Sequence, residues 1–221
     1  MRVNGTKNTT YLYMGDQWDS NSLWESRYIW LPMSINDTAQ TLDVHWHDVY
    51  DLNVETGEYT PIEGTDYYAY KDITVAGNAR LQEANFANGN LIATDISGND
   101  STITFHGIEG HGAEQWVSFY YQNTDDFGFG DQPFGQPDRL GGEWILRRIS
   151  SVVVNNDTDN VHTLFARDTH KGIILSTPLL LPLEEGCENT ITIGGLDNGN
   201  GTLSADIDKI VVFPPEPGMG H

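Results

Sequence analysis

The sequence predicts an all-β protein: a jelly-roll β-sandwich preceded by an antiparallel β-meander. Short runs of aromatic and β-branched residues alternate with clusters of Asn, Asp and Gly along almost the whole chain. This pattern is typical of strands joined by turns. No window combines an amphipathic helical pattern with capping residues. The chain has 221 residues, which is enough for one large β-domain or for a domain of common size with an appendage.

The meander is predicted for residues 1–65. Its strand candidates are the runs TTYLYMG, SRYIWLPMSI, LDVHWHDVYDLNV and ETGEYTPI. Period-2 runs that are broken by clusters of Asn, Asp and Gly are typical of an antiparallel meander. Residues 11–35 contain two of these runs and therefore predict two neighbouring strands.

The sandwich is predicted for residues 66–213. Its strand candidates are STITFHGI, QWVSFYYQ, RRISSVVVN, VHTLFAR, GIILSTPLLLPL, NTITIGG and DIDKIVVF. Two antiparallel sheets packed face to face accommodate that many short strands economically. Residues 123–144 are too long for an ordinary hairpin, which indicates a functional or flexible loop. The Pro- and Gly-rich residues 214–221 are predicted to form a disordered tail.

The charge balance disfavours two classes of partner. Lys plus Arg number 11 against 32 Asp plus Glu, which gives a net charge of −21. Such a protein repels phosphate backbones and anionic lipid, so we expect neither a nucleic acid nor a membrane as partner. No stretch approaches the roughly 18 apolar residues of a membrane span. Acidic loops instead suit calcium, sugar hydroxyls or solubility alone.

The sequence also bears on the compartment. Six sequons for N-glycosylation begin at Asn4, Asn8, Asn36, Asn99, Asn156 and Asn200. Several acceptors in one short chain indicate extracellular, secreted ancestry. The first ten residues lack the apolar region of a signal peptide, so we expect no export signal in the chain as written.

Cysteine and histidine give weak signals. Cys187 is the only cysteine, which excludes an intrachain disulfide, and we interpret it as a small buried hydrophobic residue. His45 and His47 are predicted to share one face of a strand. Two imidazoles can begin a zinc site, but no third ligand is nominated, so surface or hydrogen-bonded histidines are the better interpretation.

Paired carboxylates are the next candidates for chemistry. They are Asp125 with Asp126, Glu184 with Glu185, and Asp206 with Asp208. Glycoside hydrolysis needs two carboxyl groups about 5 to 10 Å apart across a sugar, and adjacent loop acids rarely meet that requirement. Asp206 and Asp208 are predicted to share a face of a buried closing strand. Each needs a hydrogen-bond partner or a cation there, and both interpretations stay open.

Aromatic residues of the long loop are candidates for stacking on a sugar. They are Phe127, Phe129, Phe134 and Trp144. Such rings stack on the apolar face of a pyranose while polar side chains bind its hydroxyls. They can equally pin a long loop to the sandwich. No G-x-S-x-G motif and no Walker loop is present to indicate other chemistry.

Two parts of the chain carry a family resemblance. YMGDQW at 13–18, SRYIW at 26–30 and DVYDLNV at 48–54 resemble the last propeller blade of family 43 glycoside hydrolases of the exo-1,3-β-galactanase type. QWVSFYYQNTDD at 115–126 and ADIDKIVVF at 205–213 resemble strands of the family 35 carbohydrate-binding module that follows this blade. The resemblance implies a residual blade and a module-like sandwich.

The resemblance also implies a function. The catalytic acids of that family lie in earlier blades, so we expect no enzyme here but a non-catalytic, lectin-like protein that binds β-galactosides or galactan. One alternative is a structural protein that has lost sugar binding and oligomerises through the exposed blade. Another is a fragment of a galactan-degrading hydrolase. A homo-oligomer is expected because a single blade exposes faces that neighbouring blades would cover.

Candidate site residues follow from the loops and from the resemblance. The predicted carbohydrate-binding residues are Tyr120, Asp126, Trp144, Arg148, Asn198, Asn200 and Asp206. The family's stacking aromatic aligns with Leu203, and its neighbouring asparagine aligns with Thr202. Calcium is the one cofactor that the resemblance implies, with Asp208 as the candidate metal ligand. The family's Glu-x-Glu aligns with Tyr68-Ala69-Tyr70, which carries no charge.

Overall fold

A computed structural model describes residues 1–17, 27–98, 100–123, 148–167, 169, 172–195 and 204–216. The chain divides into two compact units, Met1–Glu63 and Gly64–His221. This division falls close to the predicted boundary at residue 65. None of the described residues forms a helix that is long and apolar enough to cross a membrane.

The first unit is the predicted meander. Its larger sheet contains β1 (Arg2–Asn4), β2 (Thr9–Gln17), β3 (Arg27–Asn36) and β4 (Thr41–Val44), hydrogen-bonded in sequence order and antiparallel throughout. A separate hairpin joins β5 (Tyr50–Asn53) to β6 (Glu58–Pro61). The two runs within residues 11–35 are therefore the neighbouring strands β2 and β3.

Asparagines close two of these hairpins. The Asn36 side-chain oxygen accepts hydrogen bonds from the backbone N–H groups of Thr38 and Ala39 at 3.1 and 3.0 Å. The Asn53 side-chain oxygen likewise accepts hydrogen bonds from the backbone N–H groups of Glu55 and Thr56, at 3.0 and 2.9 Å. Gly57 follows that turn with φ of 73°, a conformation that only glycine adopts without strain. The Asn-rich turn signals thus end the strands where the sequence predicts.

The second unit is an antiparallel β-sandwich. Its strands are β7 (Thr65–Tyr68), β8 (Ile73–Val75), β9 (Arg80–Glu83), β10 (Leu91–Thr94), β11 (Ile103–Gly110), β12 (Ala113–Gln122), β13 (Arg148–Val154), β14 (His162–Ala166), β15 (Leu175–Leu183), β16 (Gly186–Gly195) and β17 (Asp206–Val212). One sheet has the order β15-β12-β17-β10-β9, with β7 also paired to β17; the other has the order β14-β13-β16-β11-β8. The predicted all-β, jelly-roll class is confirmed.

The core lies between these two sheets. In β12, alternate residues Val117, Phe119 and Tyr121 are fully buried, because successive side chains of a strand point to opposite faces. Inward-facing aliphatic and aromatic residues of the facing sheet, such as Phe105 and Ile193, belong to the same cluster. Burying one such side chain contributes about 1.5 to 3 kcal/mol.

Two sequence interpretations need correction. Cys187 is exposed rather than buried, because the first three residues of β16 are exposed and burial begins only at Asn189. His45 and His47 follow β4, which ends at Val44, so they do not lie on a strand. Their rings nevertheless stack, with centroids 6.4 Å apart.

The start of the predicted tail is held in place. The Trp116 indole N–H donates to the Glu216 carboxylate at 2.8 Å, and the Phe213 N–H donates to the Trp116 carbonyl at 2.9 Å. Residues 217–221 lie outside the described part of the chain.

Candidate functional site

Four strand ends that flank the predicted sugar-binding segments meet at one end of the sandwich. β12 ends at Gln122 beside Asp206, the first residue of β17. In the other sheet, Ser150 near the start of β13 pairs with Gly195, the last residue of β16. A buried hydrogen bond of 2.5 Å joins the hydroxyl groups of Ser150 and Ser204. Because Ser204 stands two residues before β17, this bond brings the two pairs of strand ends together.

The described structure covers part of the predicted sugar site. Tyr120 and Asp206 are described in full, and Arg148 is described as the first residue of β13 without its side chain. The remaining predicted residues lie outside the described part of the chain: Asp126, Trp144, Asn198, Asn200, Thr202, Leu203 and the loop phenylalanines. Their roles stay predictions.

Tyr120 lies in a row of aromatic and basic side chains on the outer face of its sheet. The register places Tyr120, Lys209 and Tyr68 side by side on β12, β17 and β7. The Lys209 ammonium lies 4.6 Å from the Tyr120 ring centroid and 5.8 Å from that of Tyr68. Its nitrogen also lies 2.6 Å from the Asp66 carboxylate. A sugar that stacks on Tyr120 must therefore compete with Lys209 for one face of the ring.

The two acids of β17 have different partners. The Thr94 hydroxyl donates to Asp206 at 2.7 Å. Asp208 is only 2% exposed, and Asn88 binds both of its oxygens. The Asn88 backbone N–H donates to Oδ1 at 2.8 Å, and the Asn88 side-chain amide donates to Oδ2 at 2.7 Å. Each carboxylate thus accepts hydrogen bonds from a neighbouring residue, one of the two arrangements that the sequence leaves open.

The residues around Asp208 do not fit the calcium ion that the resemblance implies. Calcium takes about six to eight oxygen ligands, whereas Asn88 presents N–H donors to both oxygens of Asp208. The rings of Tyr68 and Tyr70 lie with their centroids 5.4 Å apart and their planes tilted by 39°. Desolvation, followed by the nearby Asp66, raises the pKa of Tyr68, so its phenol stays neutral. Among the described residues, no three His, Cys, Asp or Glu side chains gather as a metal centre would require.

A cleft of about 470 Å³ lies at a different place in the sandwich. The turns after β11, β13 and β15 surround it, and its acidic lining residues are Glu114, Asp157, Glu184 and Glu185. His162 lines the same cleft, and its Nε2 atom is buried without a hydrogen-bond partner among the described residues. The described lining includes no Lys or Arg. The Glu184–Glu185 pair is therefore part of an acidic wall.

In the first unit, the β1–β4 sheet exposes apolar side chains on both faces. Met14 and Trp30 oppose each other across β2 and β3 on one face, and each is 50% exposed. Ile35 and Leu42 oppose each other across β3 and β4 on the other face, and they are 45% and 55% exposed. Exposed apolar residues on both faces are typical of a sheet that packs against other structure on each face.

Sequence reasoning missed Asn88, the partner of Asp208. Its one local signal is the Asn-Gly-Asn turn at 88–90, which forms a single 3₁₀ turn. Nothing in that pattern indicates a carboxylate 120 positions further along the chain.

The chain is similar in structure to an exo-β-1,3-galactanase from Phanerochaete chrysosporium, and this confirms the resemblance inferred from the sequence. With the galactanase solved with β-1,3-galactotriose, the TM-score is 0.71 and the identity is 27%, over 92% of this chain and 41% of the galactanase. With the same enzyme solved with galactose, the TM-score is 0.70 at the same identity and coverage. The chain thus spans about two fifths of the galactanase.

A family 35 carbohydrate-binding module from Clostridium thermocellum shares the fold. Its TM-score is 0.52 at 19% identity, over 67% of this chain and 98% of the module. No protein-family model matches the chain. No curated protein matches it either.

Proposed function

We propose that the chain is a non-catalytic carbohydrate-binding protein that recognises β-galactosides of the galactan type. The observation that carries this proposal is the similarity to the galactanase over 92% of the chain at 27% identity. That enzyme was solved with β-1,3-galactotriose and with galactose. The fold shared with a family 35 carbohydrate-binding module supports binding rather than catalysis.

The proposed site is the end of the sandwich at which β12 and β16 end and β13 and β17 begin. Tyr120 offers an aromatic face, and Asp206 offers carboxylate oxygen to sugar hydroxyls. Trp144, Asp126, Arg148, Asn198 and Asn200 are the further residues proposed for this site. The net charge of −21 favours a neutral galactoside over an anionic glycan, since like charges repel.

Calorimetric titration with β-1,3-galactotriose tests the proposal, with cellotriose as the matched control sugar. We expect saturable binding of the galactotriose, weaker binding of cellotriose, and an intact galactotriose by mass spectrometry after prolonged incubation. If folded protein, as judged by an intact melting transition, binds neither sugar and no glycan on an array, sugar binding is refuted. Release of galactose would refute the non-catalytic assignment.

A tryptophan pair localises the site. Trp144→Ala should weaken binding about tenfold, because aromatic stacking contributes about 0.5 to 1.5 kcal/mol beyond the area that it buries, and about 1.4 kcal/mol corresponds to a tenfold change in Kd. Trp46→Ala is the control, since Trp46 is 51% exposed in the first unit and should leave binding unchanged. Equal binding by both variants would exclude Trp144 from the site.

An assembly role is the second candidate, and the two apolar faces of the β1–β4 sheet favour it. We propose that a second copy of the chain covers one of these faces. Light scattering at micromolar concentration should then detect a dimer or larger species, and Trp30→Ser or Leu42→Ser should shift it towards monomer. A monomer at all concentrations contradicts assembly. A native polypeptide well above 24.6 kDa would instead favour a fragment of a galactan-degrading hydrolase.

The compartment follows from the same proposal. Asn4, Asn8, Asn36 and Asn156 are exposed sequon asparagines in the described part of the chain, so they are accessible to glycosylation. We propose an extracellular protein that carries N-glycans. A mass shift after treatment of the native protein with an N-glycosidase is the expected result, and an unchanged mass would contradict it.

A further inference from the structure

We propose that Asn88 takes the place of a calcium ion as the partner of Asp208, so that the fold of the sandwich does not depend on a divalent metal. This inference is separate from sugar binding and stands whether or not the chain binds a glycan. It rests on the contacts around Asp208, on the positive charge beside Tyr68, and on the packing that holds the Asn88 turn.

The Asp208 carboxylate is almost completely buried, and a buried carboxylate needs compensation. Asn88 supplies it with two donors, its backbone N–H on Oδ1 and its side-chain amide on Oδ2, at 2.8 and 2.7 Å. The exposed Asn88 therefore caps the carboxylate from the solvent side. Hydrogen bonds to a charged group are worth more than bonds between neutral groups, so one residue meets the need that a cation otherwise meets.

The acidic residues near Tyr68 have partners other than a divalent cation. The Lys71 ammonium lies 5.0 Å from the Tyr68 ring centroid, and the Lys209 ammonium lies 5.8 Å from the same centroid. Both ammonium groups are paired with carboxylates, Lys209 with Asp66 at 2.6 Å and Lys71 with Asp72 at 3.9 Å, so these acids have their counter-charges without a metal ion. The neighbouring carboxylate of Asp72 already accepts a hydrogen bond from the Tyr68 N–H at 2.7 Å.

Tyr70 holds the turn that presents Asn88. Gly89 has φ of 62°, and a Cβ built there would lie 2.6 Å from Cγ of Tyr70. The Tyr70 ring is therefore packed directly on the backbone of this turn. Tyr70, which aligns with the second glutamate of the family's Glu-x-Glu, thus supports the replacement of the metal instead of binding it.

Melting curves of the full chain test the inference. The wild-type melting temperature should be the same in excess EDTA and in millimolar calcium, and atomic emission should find no stoichiometric calcium in the purified protein. A melting temperature that falls in EDTA and recovers with calcium would overturn the inference. So would one calcium ion per chain after dialysis.

Variants assign the effect to Asn88. Asn88→Ala should lower the melting temperature by about 3 to 6 °C, and calcium should not restore it. Asn160→Ala is the matched control, since Asn160 donates to the fully exposed Asp157 at the same distance, 2.7 Å, and its removal should shift melting by less than about 1 °C. Equal shifts in the two variants would overturn the role of Asn88.

A glycine pair tests the turn without touching the carboxylate or its donors. Gly89 and Gly98 have similar φ values of 62° and 56°, but no atom of the described residues lies within 4 Å of a Cβ built at Gly98. Gly89→Ala should therefore lower the melting temperature more than Gly98→Ala does, because only the former adds a clash with Tyr70 to the backbone strain. Equal losses would contradict a supporting role for Tyr70. Should Asn88→Ala fail to fold, this pair and the wild-type EDTA measurement decide the question.

Discussion

The two units of the chain are both antiparallel β-structure, yet they bury their apolar residues very differently. In the sandwich, inward-facing residues of two sheets form one continuous cluster, most of whose members are fully buried. In the described part of the first unit, Leu12 and Leu31 are the buried hydrophobic residues, while large apolar side chains on both faces of the β1–β4 sheet are exposed. Strand formation and core formation are therefore separate properties of a sequence.

The difference teaches how each unit is stabilised. The sandwich supplies its own cover, because each sheet buries one face against the other. β2 and β3 each contain a continuous apolar run, at residues 11–14 and 28–33, as strands do when both faces are to be buried. It therefore has the surface of an element that gains stability from a further layer.

A leucine pair gives the largest expected difference between the units. Leu181 in β15 is fully buried and Leu42 in β4 is 55% exposed. Leu181→Ala should lower the free energy of unfolding by about 2 to 5 kcal/mol, through lost burial and the cavity left behind. Leu42→Ala should change the free energy of unfolding by less than about 0.5 kcal/mol. Urea denaturation at submicromolar protein measures both.

The same pair detects a partner of the β1–β4 sheet. If Leu42→Ala proves costly at high protein concentration but not at low concentration, a second copy covers this face of the sheet. A large cost at every concentration would mean that Leu42 is covered within one chain, which contradicts its exposure.

A tyrosine pair gives an intermediate difference. The Tyr121 hydroxyl lies 3.0 Å from the Thr177 hydroxyl and accepts a hydrogen bond from the Arg167 N–H at 3.1 Å, all in the buried interior. Tyr121→Phe should cost about 1 to 3 kcal/mol, because that buried N–H loses its acceptor. In the first unit, Tyr50 donates to the Trp30 carbonyl at 2.9 Å in an exposed setting. Tyr50→Phe should cost less than about 1 kcal/mol, since water replaces the lost donor. Thermal unfolding of the two variants compares them, and equal costs would contradict the difference in burial.

The sequence predicts the strands well because alternation and turn chemistry are local. Asn36 and Asn53 end strands through bonds to residues two and three positions on, so the sequence window contains the whole cause. The family resemblance then supplies the arrangement of the strands in two sheets.

The site around Asp208 is predicted only in part, for the opposite reason. Its carboxylate is recognisable in the closing strand, but its partner Asn88 is 120 positions away and belongs to an ordinary turn pattern. The prediction that Cys187 is buried is wrong because residue type indicates only average burial. Cys187 is exposed because it lies in the first three residues of β16, before burial of that strand begins. Long-range contacts, and the residue of a strand at which burial begins, are what a local pattern does not encode.

The smallest expected effect concerns the pKa values of two carboxylates, Glu58 in the first unit and Asp157 in the sandwich, which have different hydrogen-bond partners. Hydrogen bonding to the Lys7 ammonium, at 3.2 Å, is the main cause that lowers the pKa of Glu58 from its ordinary 4.5. In the sandwich, hydrogen bonding to the uncharged Asn160 amide is the main cause that lowers the pKa of Asp157 from its ordinary 3.8. Both folded-state values lie below the unfolded ones. Each group therefore stabilises its unit above its ordinary pKa, and the contribution is lost as the pH falls through the lowered value.

The nature of the partner predicts a different response to salt. Screening weakens the attraction between Lys7 and Glu58, so about 1 M NaCl should raise the pKa of Glu58 towards 4.5, and Lys7→Gln should do so at low salt. The pKa of Asp157 should respond less to salt and not at all to Lys7→Gln, because its main partner carries no charge. NMR titration of the two carboxyl carbons measures both values. Equal responses to salt would mean that the Glu58 contact has no specific electrostatic component and that the two exposed pairs are equivalent.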